Sequence, residues 1–153
     1  MPHSIKHLFH IAAPRSAVFT NISSVEGARQ WWTIGAAGSS GVGGMLEFSF
    51  GPHGIMKMNV AEQVPGERVV WKVLEGPEDW TGTTLTFALD ENDGKTRVCF
   101  EHAGWSHNGD HYAASCFSWA RYMESLRQLC QTGKGEGHGT PGYRKYGPTL
   151  QLR

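Results

Sequence analysis

The side chains here that could do chemistry are chiefly histidines and cysteines, and their spacing narrows what that chemistry is. His107 and His111 stand four apart with Asp110 between them. On a helix that spacing puts two imidazoles on one face, as a zinc pair requires. A zinc peptidase would carry Glu directly after the first histidine, and Asn108 is there instead. With no third ligand evident, no metal site is expected. His102 falls on the same face as Val98 and Phe100 in an alternating run. It either bonds to backbone or water inside a core, or orients a ligand and moves a proton. His7, on the apolar face of the first run, has the same two readings. Glu101 points away from His102 by alternation and is a poor partner for it.

The cysteines are Cys99, Cys116 and Cys130, an odd number without CxxC spacing. A disulfide framework or cysteine-rich zinc site is therefore not expected, and the thiols read as small core hydrophobes. No Ser lies in GxSxG. The glycine run Gly35–Gly44 lacks GKS or GKT and precedes a strand, so it is not a phosphate loop. It reads as a mobile loop, a gate over a cavity mouth. No nucleophile and no cofactor are expected.

Alternation from Ser4 to Ile11 predicts a strand. Pro14 opens a short helix with Val18, Phe19 and Ile22, and Ser23 with Glu26 forms a capping box for a second helix ending at Trp31-Trp32. Strand periodicity follows over 44–50, 55–63, 68–74, 83–89 and 96–102, with turns at Pro65-Gly66 and Asn92-Asp93-Gly94. From about Asn108 to Thr132 the pattern is helical: Tyr112, Cys116, Trp119, Ala120, Met123, Leu126 and Cys130, stopped by Gly133. The expectation is an α+β domain in which a curved antiparallel sheet of about six strands wraps round one long C-terminal helix, with two short helices after the first strand.

The 153 residues suit one domain. The 14 basic and 14 acidic residues cancel, which argues against a nucleic-acid binder and against docking on an acidic membrane. No apolar run is long enough to span a bilayer. The first residues lack an export signal, and with free thiols the expected location is cytoplasmic.

The element order is similar to the helix-grip fold of the SRPBCC (START-like) superfamily. The local motifs resemble its branch of homologues of the activator of the heat-shock-protein-90 ATPase. The residues that carry this are Ile11-Ala12-Ala13-Pro14 with Val18-Phe19, the pair Trp31-Trp32, Val42-Gly43-Gly44 before Met45–Phe48, the hairpin Val60–Trp71, the strand Thr96–Trp105, and Trp119, Met123 and Leu126 before Gly133. On this reading residues 1–133 are one helix-grip domain and 134–153 a glycine-rich C-terminal tail that wraps on the domain or hangs free, dispensable for folding. The resemblance implies a cavity between sheet and long helix that takes a small hydrophobic molecule, and it leaves a homodimer as an option.

The expected lining is Trp31, Trp32, Met56, Met58, Trp71, Phe87, Phe100, His102, Cys116, Ala120 and Met123, with small Cys116 and Ala120 leaving the room and Ala120→Phe able to plug it. The first functional expectation is binding of an apolar or amphipathic ligand. One alternative is a cyclase, dehydratase or hydrolase using His102 or His7 as acid or base. Another is an interaction protein that regulates a chaperone ATPase.

Overall fold

The computed structural model describes residues 2–146, with side chains through residue 143. The chain runs β1 (His3–Ile11), α1 (Arg15–Ile22), α2 (Val25–Trp31), β2 (Gly35–Gly38), β3 (Met45–Ser49), β4 (Ile55–Val64), β5 (Arg68–Glu75), β6 (Thr84–Asn92), β7 (Lys95–Trp105) and α3 (Asp110–Thr132). A 3-10 turn, Gly51–His53, precedes β4. The strands form one antiparallel sheet in the order β1-β7-β6-β5-β4-β3-β2, with α3 against its inner face. This is the expected α+β helix-grip architecture.

The strand beyond the expected six is β2. Gly35–Gly38 pairs with Phe48 and its neighbours in β3 instead of forming a loop. Glycine is needed because the backbones nearly touch: a Cβ on Gly35 would stand 2.4 Å from the Ser49 carbonyl oxygen, and one on Gly38 2.2 Å from that of Met45. Propensity argues against a glycine strand, and close approach overrides it.

Three single-residue bulges bend the sheet. Leu74 in β5, Ala61 in β4 and Gly104 in β7 are each skipped by the pairing register. The bulge at Gly104 (φ +100°) also changes phase. Val98, Phe100 and His102 point inward, and after the extra residue Trp105 points inward too.

Ser24, not Ser23, caps α2: its hydroxyl accepts from the Gly27 amide at 3.0 Å, while the Ser23 hydroxyl donates to the Phe19 carbonyl. Gly133 ends α3 in the left-handed conformation, as expected. No helix among the described residues is long and apolar enough to cross a membrane.

Helix α3 also covers the outer edge of β1. The Tyr112 hydroxyl donates to the Ser4 carbonyl (2.6 Å), Arg127 to the His10 carbonyl (3.2 Å), and His7 Nε2 donates to the Cys116 carbonyl (3.2 Å).

Of the two arrangements open to the residues after Gly133, the described part wraps. The Gly137 amide donates to the Gln30 carbonyl, the His138 amide to that of Trp32 (2.7 Å), and the Ile34 amide to that of His138. The Glu136 amide donates to the Ser125 hydroxyl inside the domain. A Cβ on Gly135 would lie 2.2 Å from the Gln30 carbonyl oxygen. These bonds run against the expectation that this stretch is dispensable. Gly135→Ala should cost about 1–3 kcal/mol, a melting-temperature drop of several degrees. A calorimetric melt identical to wild type would mean that the strap contributes nothing.

Candidate functional site

The inner face of the sheet carries an aromatic core. Trp32, at the end of α2, sits at its centre. Its ring lies 4.4 Å from Phe48, 5.1 Å from Trp119, 5.7 Å from Trp31 and 6.3 Å from Trp71. Phe87 packs on Phe100 and Trp71, and Phe100 on Trp119 at 4.5 Å. Rings on rings fill the middle of the grip.

Beside these rings, space opens at one end of the grip. A cleft of about 510 Å³ lies between the N-terminal half of α3, the 3-10 turn with the start of β4, and the loop joining β5 to β6. That size suits a small organic ligand. Its floor is Trp32, Trp80, Trp119, Phe50 and Met56, and Gly54, Gly76 and Pro77 form its rim. Its other wall is polar. His111, Ser115, Ser118 and Tyr122 all line it; they stand four, three and four apart, which makes one stripe along a helix. A second hollow, about 770 Å³, lies between the end of α3 and residues 134–142, and among the described residues no aromatic ring lines it.

A closed circuit of hydrogen bonds fixes the inner wall. The Trp119 indole N–H donates to His102 Nδ1 (3.0 Å). Indole only donates, so Nδ1 accepts and the proton of the neutral ring sits on Nε2. His102 Nε2 then donates to the Thr83 hydroxyl (2.8 Å), which donates to the Trp80 carbonyl. The Trp80 indole N–H returns to α3 by donating to the Ser115 hydroxyl (3.3 Å).

At the rim, His111 Nδ1 lies 3.1 Å from Asp79 Oδ2. Behind the floor, His138 packs 5.4 Å from Phe50, and its pKa is lowered by burial and then by His53. The Tyr122 phenol shares a hydrogen bond with Tyr143, and burial first, then Tyr143, push its pKa up. His138 and Tyr143 thus support the cleft from outside.

Of the residues expected from the sequence, Trp32 and Met56 line the cleft. Trp31, Met58, Trp71, Phe87, Phe100 and Met123 are buried in the filled core. The Trp31 indole N–H donates to the Asn21 carbonyl. His102 is wholly buried, with both ring nitrogens engaged in the circuit.

Cys116 and Ala120 lie about 60° and 100° round the helix from Trp119. Cys116 faces His7 beside β1, its sulfur 3.8 Å from Nε2. Ala120 is exposed, so Ala120→Phe would not plug this space. The glycine run does not form the mouth either. His107 precedes α3, while His111 pairs with Asp79.

Sequence reading passed over Phe50, Trp80, Ser115, Ser118 and Tyr122. The legible signal was the spacing of Ser115, Ser118 and Tyr122 around Trp119, a polar stripe beside an apolar one.

Burial, with a smaller push from His111, lowers the His102 pKa from 6.5 to about 3. Between those values the unfolded chain binds a proton that the folded chain does not. Stability from this group is therefore complete above pH 6.5 and falls as pH drops toward 3, by up to about 1.4 kcal/mol per pH unit. Urea melts at pH 7 and pH 5 should differ by about 2 kcal/mol on this account. His102→Leu should shrink that difference; an unchanged difference would show that His102 is not the group responsible.

A protein from Colwellia psychrerythraea solved as an Aha1 dimer is similar to this chain at 29% identity and TM-score 0.79, over 87% of this chain and 99% of its own. DynU16, from the dynemicin biosynthetic locus, shares the fold at 19% identity and TM-score 0.72, over 88% of this chain and 49% of its own. CalU16 from Micromonospora echinospora does so at 16% identity and TM-score 0.67, over 86% of this chain and 78% of its own. No match was found among curated proteins. The family described as activator of Hsp90 ATPase homolog 1-like protein matches residues 12–131. On that match, this chain belongs to the family of activator of Hsp90 ATPase homolog 1-like proteins.

Proposed function

We propose that this protein binds a small, flat, amphipathic ligand, an aromatic compound with polar groups along one edge, in the cleft at the open end of the grip. The observation that carries this is the division of the cleft walls. One side is mainly indole, phenyl and thioether, with His53 of the 3-10 turn among them; the other is a helix stripe of imidazole, two hydroxyls and a phenol, with Ala114 beside it. Stacking on indoles recognises a flat apolar body, and the stripe supplies hydrogen bonds that fix its orientation. Binding is favoured over catalysis by His102, because both nitrogens of that ring are occupied and its proton is withheld by burial. His7 is turned to the Cys116 carbonyl, away from the cleft.

A cytoplasmic location accords with this reading, since Cys99, Cys116 and Cys130 are all free. We also read the chain as a homodimer, by analogy with the dimer of the Colwellia protein. The family description supports regulation of a chaperone ATPase as a second reading. It requires an external partner surface and would leave the cleft without a role.

The test is a screen of planar aromatics followed by tryptophan quenching, since Trp32, Trp80 and Trp119 form the floor. Ala114 lines the cleft and is exposed, so Ala114→Phe should fill it with little effect on folding, within about 0.5 kcal/mol. Affinity for any hit should fall at least tenfold in Ala114→Phe and stay unchanged in Ala120→Phe, on the outer face. Equal loss in both variants, or no hit among flat aromatics, would overturn the reading.

A further inference from the structure

The rim pair Asp79 and His111 bears on what the cleft selects. His111 lies in the first turn of α3, Asp79 in the loop between β5 and β6, and Nδ1 meets Oδ2 at 3.1 Å. Both side chains are only partly exposed, at 43% and 33%. The ring plane is set from a second side by Trp105, whose indole meets it edge-on at 5.5 Å. An ionised carboxylate only accepts, so Nδ1 carries the proton in this pair and the neutral ring keeps its free lone pair on Nε2. Among the described residues no hydrogen bond occupies Nε2, and His111 is part of the cleft wall.

We propose that the Asp79–His111 pair is the polar end of the binding site and selects ligands carrying an acidic aromatic hydroxyl, that is, phenols and hydroxylated polycyclic arenes. This rests on the cleft being a ligand site. The aromatic body lies over the indole floor and its O–H points to His111 Nε2. The phenol donates its hydrogen to Nε2, and for acidic phenols the proton crosses: the O–H bond breaks, the N–H bond forms, and the electron pair stays on oxygen. The product is a phenolate beside an imidazolium that Asp79 neutralises. Nothing is oxidised or reduced. Asp79 is a positioning residue: it acts through His111, by fixing which ring nitrogen carries the proton and by neutralising the imidazolium. Selectivity follows because an arene without the hydroxyl leaves Nε2 unpaired in a partly dry site.

The experiment compares coumarin with 7-hydroxycoumarin, whose absorption separates phenol from phenolate. Affinity is read by tryptophan quenching and ionisation by the ligand's own spectrum at fixed pH. Wild type should bind 7-hydroxycoumarin at least tenfold more tightly than coumarin and enrich its phenolate band. His111→Ala should erase both the preference and the band, bringing the affinities for the two compounds together. Asp79→Asn should reduce both, because an amide donor facing Nδ1 moves the ring proton to Nε2. Thermal melts confirm that each variant is folded.

If coumarin binds but the hydroxyl gives no preference, or His111→Ala keeps it, the pair is not the recognition element while the cleft remains a ligand site. If neither compound binds wild type, the ligand-site reading fails for this class, and this proposal fails with it.

Discussion

The geometry of this protein depends on one closed set of hydrogen bonds, in which Trp119, His102, Thr83, Trp80 and Ser115 tie α3 to β7, to the start of β6 and back to α3. Each member is buried, and a buried polar group without a partner costs about 1–3 kcal/mol. The circuit therefore behaves as a unit: removing any member leaves at least one neighbour without its bond. It also sets two of the three indoles in the cleft floor. The helix cannot slide along the sheet without breaking it, and the width of the cleft follows from that restraint.

Around this anchor the molecule divides its labour. In the middle of the grip, Trp32 and its ring neighbours fill the space. At the end where the β5–β6 loop rises over α3, the filling stops and the helix presents side chains that can hydrogen-bond. The strap after Gly133 completes the arrangement from outside, pinning Trp32 through its backbone and placing His138 against Phe50. A residue far along the chain thus steadies the wall of a site to which it adds no atom.

The sequence made most of the scaffold readable because strands and helices carry their own periods. The runs ending in Val73, Leu89 and His102 alternate cleanly, and α3 is delimited by a glycine at its end. The element that escaped was β2, whose Gly35–Gly38 has no side chains to show a period; what specifies it is a backbone approach visible only in three dimensions. The site was less legible for a related reason. Alternation tells which residues point inward, but not whether the space they face is filled. Trp71, Phe87 and Phe100 do point inward, and other rings occupy the room. Ala120 was misplaced because a stripe spanning Cys116 to Met123 has two edges, and the helix turned on Trp119 rather than on the small residues.

The covering of β1 by α3 has a consequence for how the chain comes into being. The strand made first pairs only with the strand made last, Ser4 opposite Ala103 and Ile11 opposite Thr96. Its other side waits for Tyr112 and Arg127. During synthesis the nascent β1 therefore has both edges open while about 90 further residues are added, of order 5–20 s at ribosomal rates. Hydrophobic Ile5, Phe9 and Ile11 are uncovered for that whole interval. The topology leaves β1 unpaired until β7 is made, and the arrival of the C-terminal helix then covers its other edge.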